Sequence, residues 1–191
     1  MKTLRLALVL LVGLISSLAL CQEPDSGPHL LSQSAADALR EFAGADAAFM
    51  AAGNLKGGAA KENLATLLNY PSDNPVVVTL TGAQVRQAIE RSISLYPQPS
   101  SFFLQLSGIE VTFKRDPAAN PRIISVNIAG SPLQDSRKYN IAMTSSLARG
   151  ALGYFKIWDK DKISKTFDTT LEAVLKGKRY TETSPRYTIV D

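Results

Sequence analysis

The stretch PVVVTLTGAQVRQAIERSI, residues 75–93, decides the fold of this chain. Its first half carries three consecutive valines, a pattern typical of a strand that is buried on both faces. In its second half Val85, Ala88 and Ile89 recur at helical spacing, which predicts an amphipathic helix over 82–95. A buried strand that is followed directly by a helix predicts a sheet with helices packed against it.

The rest of the chain mixes short strand patterns with short helix patterns. Helices are predicted over 30–42, 61–68 and 169–176, where apolar residues recur at helical spacing. Strands are predicted over 46–52, 102–114, 123–128, 139–143 and 187–190. The segment 102–114 is either a pair of strands or one strand bent at Ser107-Gly108. This mixture indicates an α+β fold class, or α/β with mixed sheets.

Five sequence blocks follow one another in a fixed order between residues 80 and 154. They are Leu80-Thr81-Gly82, Phe103-Leu104-Gln105-Leu106-Ser107-Gly108-Ile109, the run from Arg122 to Leu133, Tyr139-Asn140-Ile141-Ala142, and Leu147-Ala148-Arg149-Gly150-Ala151-Leu152-Gly153-Tyr154. This order resembles the C-terminal, substrate-binding domain of the 5'-nucleotidase family, over roughly residues 38–191. The resemblance implies a single α+β domain in which mixed sheets pack face to face with helices outside.

An export signal and a linker are predicted before this domain. Residues 1–21 combine Lys2 and Arg5 with an apolar run over 6–15, which is typical of a signal peptide and too short for a membrane-spanning helix. Residues 22–29 contain Pro, Gly and Ser and predict a linker, so the domain is expected over 30–191. In the family a dinuclear metallophosphatase domain lies N-terminal to this one. Here only the predicted signal and linker precede the match, so we expect that domain to be missing. We therefore expect a stand-alone domain exported to the periplasm or cell envelope.

Cys21, the only cysteine, leaves two ways of processing the signal open. The sequence Leu18-Ala19-Leu20-Cys21 has the outline of a bacterial lipoprotein box, in which the cysteine is lipidated, although Leu20 departs from the small residue usual there. Alternatively the signal is cut after Cys21, with Ala19 and Cys21 as the two small residues that the protease requires. The first alternative predicts a lipid-anchored protein, and the second predicts a freely released one.

Charge and histidine content narrow the possible chemistry. Loss of the signal lowers the formal charge from +4 by two, and no basic stripe with interleaved aromatics follows, so nucleic acid is not an expected partner. The single histidine, His29, lies in the predicted linker and is expected on the surface. A dinuclear metal centre needs several histidines and carboxylates. No metal, no cofactor and no catalytic residue is therefore expected in this chain, although the family is one of hydrolases.

Two aromatic rings sandwich the nucleoside base in the 5'-nucleotidase family, and polar residues hold the sugar or phosphate. The resemblance places the second ring at Tyr154, which follows the turn over 150–153, with Phe155 beside it. The place of the first ring falls on Pro75, and Tyr70 is the nearest aromatic. From the residues alone, Tyr154 is alternatively a core or rim tyrosine that contacts no ligand.

A further family block, Asn-small-Gly-Gly-apolar-Arg, falls on residues 51–56. Lys56 stands in place of the arginine and keeps the charge without the bidentate fork, while Asn54 restores an amide nearby. Lys56 is alternatively an exposed loop lysine. The candidate substrate-binding residues are Tyr154, Lys56, Asn54 and Phe155, and we predict that Lys56 and Tyr154 lie on the rim of one cleft.

These patterns predict an exported nucleoside- or nucleotide-binding module that is associated with nucleotide breakdown. A separate metallophosphatase chain is a candidate partner, because the resemblance implies that catalysis belongs to that domain. Two alternatives stay open: a degenerate scaffold for protein–protein interaction at the envelope, and an enzyme whose site carries no recognisable motif.

Overall fold

Two β-sheets lie face to face in the computed structural model, which describes residues 23–58, 61–181 and 184–191. The predicted signal peptide, with Cys21, lies outside these residues. The five-stranded sheet has the order β3-β1-β7-β2-β8, and the four-stranded sheet has the order β6-β5-β4-β9. The strands are β1 (Ala47–Ala51), β2 (Pro75–Thr81), β3 (Leu104–Ser107), β4 (Ile109–Lys114), β5 (Ile123–Ile128), β6 (Ser131–Pro132), β7 (Lys138–Thr144), β8 (Ile163–Thr166) and β9 (Tyr187–Val190).

The described residues form four α-helices beside the sheets: α1 (Leu30–Ala43), α2 (Gly82–Ile93), the short α3 (Ser145–Ala148) and α4 (Leu171–Leu175). Helix α1 ends as its sequence predicts, because Gly44 adopts a left-handed conformation with φ 61°. Helix α2 begins with a capping box between Thr81 and Gln84. None of the helices in the described part of the chain is long and apolar enough to cross a bilayer.

The five-stranded sheet separates two apolar cores. Strand β1 is buried at all five positions, and its side chains alternate between the two faces. Phe49 packs into the core between the sheets, where Val126 of β5 also lies. Met50 packs into the second core with Leu39 of α1 and Leu171 of α4. The α+β arrangement of mixed sheets packed face to face, with helices outside, is thus confirmed.

Gly108 lies where the chain passes from the five-stranded sheet to the four-stranded sheet. Strand β3 pairs with β1 in the five-stranded sheet, and β4 pairs with β5 in the four-stranded sheet. Gly108 lies between them with φ 71°, and a Cβ at this position would lie 2.5 Å from the carbonyl oxygen of Asp46. The segment 102–114 is therefore a pair of strands, and only glycine fits at the crossing point.

One sequence expectation about secondary structure is wrong, and one strand was not predicted. The segment 61–68 forms a 3₁₀ turn at Leu64–Leu67 rather than a helix, since so short a segment gains its stability from burying Leu64 and Leu67 and not from helix propagation. Strand β8 was not predicted, because three of its four residues are exposed and carry no alternating apolar pattern.

The N-terminal strap, residues 23–29, is packed and does not behave as the predicted unpacked linker. The buried side chain of Gln105 holds it: Gln105 Nε2 donates to the carbonyl oxygens of Pro24 and Gly27, both at 2.8 Å. Gln105 Oε1 accepts from the backbone N–H of His29 at 3.0 Å. A single amide in the middle of β3 thus replaces the hydrogen bonds that the strap cannot make to itself.

His29 is fully buried at the end of the strap, so its expected surface position is wrong. Its Nδ1 lies 2.6 Å from Ser32 Oγ, and its Nε2 has no hydrogen-bond partner among the described residues. Burial lowers the pKa of His29 from 6.5 to about 4, because the imidazolium cannot be solvated there.

Acid should therefore destabilise the domain through His29. Between pH 6.5 and about 4 the unfolded chain binds this proton and the folded chain does not, so stability is present above pH 6.5 and lost as the pH falls. We expect the free energy of unfolding to fall by roughly 3 kcal/mol over this window. Urea denaturation at several pH values measures it, and His29→Gln is the control that lacks the titrating group. Equal pH slopes in wild type and His29→Gln would contradict the assignment.

Candidate functional site

A cleft of ≈ 480 Å³ opens at one edge of the five-stranded sheet. Strands β1 and β7 are parallel and β2 is antiparallel to β7, so the ends of β1 and β7 and the start of β2 meet at this edge. The cleft is lined by the residues that follow β1, precede β2 and follow β7: Gly53, Asn54, Tyr70, Ser72, Asp73, Asn74, Ser146, Ala151 and Leu152. Sheet topology alone therefore brings together side chains that are up to about a hundred residues apart in the sequence.

A chain of hydrogen bonds joins Asn54 to Asp73 along this edge. Asn54 Nδ2 donates to Thr144 Oγ1 at 2.9 Å, and Thr144 Oγ1 lies 3.0 Å from Ser146 Oγ. Ser146 Oγ donates to Asp73 Oδ2 at 2.6 Å. Because the Ser146 hydroxyl donates to the carboxylate, it accepts from the Thr144 hydroxyl. All three hydrogen bonds are therefore donated in the direction of Asp73. This order fixes the orientation of three polar groups that line the cleft.

The loop over 70–74, which carries Tyr70, is held on both sides. Its backbone oxygens at Pro71 and Asp73 accept from the N–H groups of Glu172 and Leu171, at 3.0 and 2.7 Å. On the other side the carbonyl oxygen of Asn74 accepts from the Ser145 N–H at 2.8 Å. The Tyr70 side chain itself is 60% exposed. A fixed backbone thus presents an accessible aromatic ring at the cleft.

The turn at 150–153 also lines the cleft, through Ala151 and Leu152, and it has an unusual backbone. Gly150, Leu152 and Gly153 all have positive φ, at 87°, 57° and 82°. A Cβ on Gly150 would lie 2.6 Å from the Cα of Phe155, so no larger residue fits. The guanidinium of Arg91 donates to the carbonyl oxygen of Leu152. Arg91 therefore stabilises a turn in which Leu152 occupies a conformation that costs a non-glycine residue on the order of 1 kcal/mol.

Tyr154 is a core residue, and the prediction that it lies on the cleft rim with Lys56 is wrong. Its side chain is 0% exposed and its ring stacks on Trp158, with centroids 4.8 Å apart and an interplanar angle of 15°. Its hydroxyl donates to the carbonyl oxygen of Phe102 at 2.7 Å, and Arg91 lies 5.3 Å from the ring centroid. Burial raises the pKa of Tyr154 well above its usual value. The ring has no face available for stacking on a ligand.

The other predicted site residues have different positions. Lys56 is exposed and does not line the cleft. Phe155 is 64% exposed and also lies outside the cleft lining. Pro75 is buried at the start of β2, opposite Thr144, so the ring nearest its predicted place is Tyr70. Of the four candidates only Asn54 lies in the cleft.

Sequence reasoning missed Ser72, Asp73, Asn74 and Ser146. The signal that was available is the run of small polar residues just before the valine strand, since the edge of a sheet is where such residues converge. Within residues 23–58, 61–181 and 184–191, no group of three or more His, Cys, Asp or Glu side chains is arranged to hold a metal ion.

A family model described as the 5'-nucleotidase, C-terminal domain, matches residues 13–159. The chain belongs to this family. Human 5'-nucleotidase is 27% identical over 107 residues, which are 52% of this chain and 18% of that protein. Snake venom 5'-nucleotidase from Naja atra is 28% identical over 89 residues, which are 42% of this chain and 17% of that protein. The chain spans about a fifth of the length of these relatives.

Solved structures of the family share the fold. The 5'-nucleotidase precursor of Thermus thermophilus superposes with a TM-score of 0.69 at 19% identity, over 90% of this chain and 37% of that one. The NAD nucleotidase of Haemophilus influenzae gives a TM-score of 0.63 at 17% identity, over 85% of this chain and 33% of that one. The resemblance to the C-terminal domain of the 5'-nucleotidases, and the fold that it implied, are confirmed.

The two neighbouring aromatics of this 5'-nucleotidase C-terminal domain should differ sharply in their effect on stability. Tyr154→Ala should lower the free energy of unfolding by about 3–5 kcal/mol, because it leaves a cavity beside Trp158. Phe155→Ala is the matched control, and should change stability by no more than about 0.5 kcal/mol, since its ring is largely exposed. Urea denaturation measures both values, and a neutral Tyr154→Ala substitution would refute the core assignment.

Proposed function

We propose that this domain binds a nucleoside or nucleotide in the cleft, with the base stacked on Tyr70. The observation that carries the proposal is the Tyr70 ring, exposed on a fixed loop, beside side chains joined by directed hydrogen bonds. A flat base gains ~1–3 kcal/mol by stacking on an aromatic side chain. The family membership supports the same ligand class, since its named members are nucleotidases.

The shape and lining of the cleft support a small-molecule ligand rather than a protein partner. Its volume of ≈ 480 Å³ falls within the range of about 300–1,000 Å³ that is usual for ligand pockets. Asn54, Asp73, Asn74 and Ser146 converge on it and supply hydrogen-bonding groups. An interaction scaffold would instead present an apolar groove without convergent polar groups. The nucleoside-binding proposal is therefore preferred.

Binding by this domain alone should be weak. The family sandwiches the base between two rings, but Tyr154 packs against Trp158 and leaves Tyr70 as the exposed ring at the cleft. One stacking contact and a few hydrogen bonds support a dissociation constant in the range of ~0.1–1 mM.

Hydrolysis is proposed to need a metallophosphatase, supplied by a separate chain. The only histidine of the sequence is His29, which is buried, does not line the cleft and has its Nδ1 within hydrogen-bond distance of Ser32. We further propose that the protein acts in the periplasm or cell envelope, either released or anchored by a lipid on Cys21. The charged and apolar pattern of residues 1–21 supports export.

Tyr70 should dominate nucleoside affinity. In an NMR titration with adenosine, Tyr70→Ala should weaken binding about tenfold or more, because the stacking contact is lost. Tyr70→Phe keeps the ring and should bind like wild type, and Phe155→Ala should also be unchanged. If Tyr70→Ala binds adenosine as tightly as wild type, or if Phe155→Ala loses binding, the base does not stack on Tyr70.

The purified protein should not hydrolyse AMP, with or without added Mn²⁺ or Zn²⁺. The expectation follows from the burial of His29 and from the composition of the cleft, whose described lining contains one carboxylate and no histidine. Phosphate release is compared with a metal-only blank and with the His29→Gln variant. Turnover above the blank that co-purifies with the protein through several columns would contradict this proposal.

A further inference from the structure

The cleft carries a single formal charge, and that charge is negative. Among the described residues that line it, Asp73 is the only acidic or basic one. The lysine and arginine nearest in sequence to the lining residues, Lys56 and Arg149, are exposed and do not line the cleft. A 5'-phosphate in this cleft would therefore meet a carboxylate without a compensating cation from its lining.

Asp73 also has unused hydrogen-bonding capacity. A carboxylate offers about four lone-pair sites. Asn74 N–H donates to Oδ1 at 2.8 Å, while Ser146 Oγ and Ser146 N–H donate to Oδ2 at 2.6 and 3.3 Å. One acceptor site on Oδ1 therefore remains for a ligand hydroxyl. These three donors hold the carboxylate in place, and the Leu171 N–H holds the backbone carbonyl of Asp73.

Tyr70 and Asp73 lie on the same fixed loop, and both face the cleft. In a nucleoside the ribose is bonded directly to the base. A base stacked on Tyr70 therefore brings the ribose hydroxyls within reach of other residues of this loop. We propose that Asp73 accepts a ribose hydroxyl and selects uncharged ribonucleosides over nucleotides. This inference rests on the proposed function, because it names the ligand class of the same site.

The expected selectivity follows from charge. A phosphate dianion held several ångströms from a carboxylate is repelled by on the order of 1–2 kcal/mol, so AMP should bind about tenfold more weakly than adenosine at low salt. Salt screens this repulsion, since the Debye length falls from about 30 Å at 0.01 M to about 3 Å at 1 M. The ratio of the two affinities should approach one at high salt.

The experiment compares adenosine, AMP and 2',3'-dideoxyadenosine by NMR titration of wild type, Asp73→Asn and Asp116→Asn. Asp73→Asn removes the charge. Ser146 directs two donors at the position of Oδ2, where they fill both lone pairs of the amide oxygen, so the NH₂ group of the variant replaces the free acceptor at Oδ1. Asp116→Asn makes the same charge change in the turn after β4, away from the cleft lining.

Wild type and Asp116→Asn should bind adenosine about tenfold more tightly than either AMP or the dideoxynucleoside. Asp73→Asn should bind all three ligands within about threefold of one another. AMP that binds wild type as tightly as adenosine at low salt, or an adenosine preference that survives in Asp73→Asn, would overturn the inference and leave the proposed function standing. If none of the three ligands binds, the proposed function itself fails.

If Asp73→Asn does not fold, the salt dependence of binding to wild type tests the inference instead. A ratio of AMP affinity to adenosine affinity that does not change with salt overturns the inference.

Discussion

The burial of strands β1, β2 and β7 of the five-stranded sheet on both faces is the constraint on which the rest of the structure depends. Strands β1, β2 and β7 each place side chains in both cores, so shifting their register by one residue would exchange the two sets. With the register fixed, the ends of these strands are fixed too. The cleft is built from the residues at those ends, and its geometry is therefore a consequence of core packing.

The turn over 150–153 is the place where the resemblance to the family predicts a ring that stacks on the substrate. The positive φ angles that the turn needs are kept by Gly150 and Gly153, and Arg91 secures it through the Leu152 carbonyl. The aromatic residue after the turn stays aromatic, yet its ring packs on Trp158 and its hydroxyl donates to the Phe102 carbonyl. Tyr154 therefore stabilises the core, and the exposed ring at the cleft is that of Tyr70 in the loop over 70–74.

The N-terminal strap, residues 23–29, runs from the sheet edge that carries the cleft to helix α1, whose apolar residues belong to the second core. Its 3₁₀ turn, Pro24–Ser26, contacts the 3₁₀ turn Ala52–Asn54, which supplies two of the residues lining the cleft. Gln105 secures the strap through three hydrogen bonds, and His29 is buried where the strap enters α1. Protonation of His29 therefore acts on a segment that supports one side of the cleft, because the strap and that turn are in direct contact.

The sequence by itself determined the family and the elements whose signals are local. The valine run, the helix from Gly82 and the glycine at 44 each depend on near neighbours in the chain, so pattern and capping rules predict them.

Which aromatic ring faces a ligand was decided only by the tertiary structure. Tyr154 and Tyr70 are equally capable of stacking, but burial depends on Trp158, Phe102 and Arg91, which approach Tyr154 from different parts of the chain. The convergence of Asn54, Asp73 and Ser146 is likewise a property of strand pairing, because parallel and antiparallel neighbours bring distant strand ends to one edge, and no local pattern records that pairing.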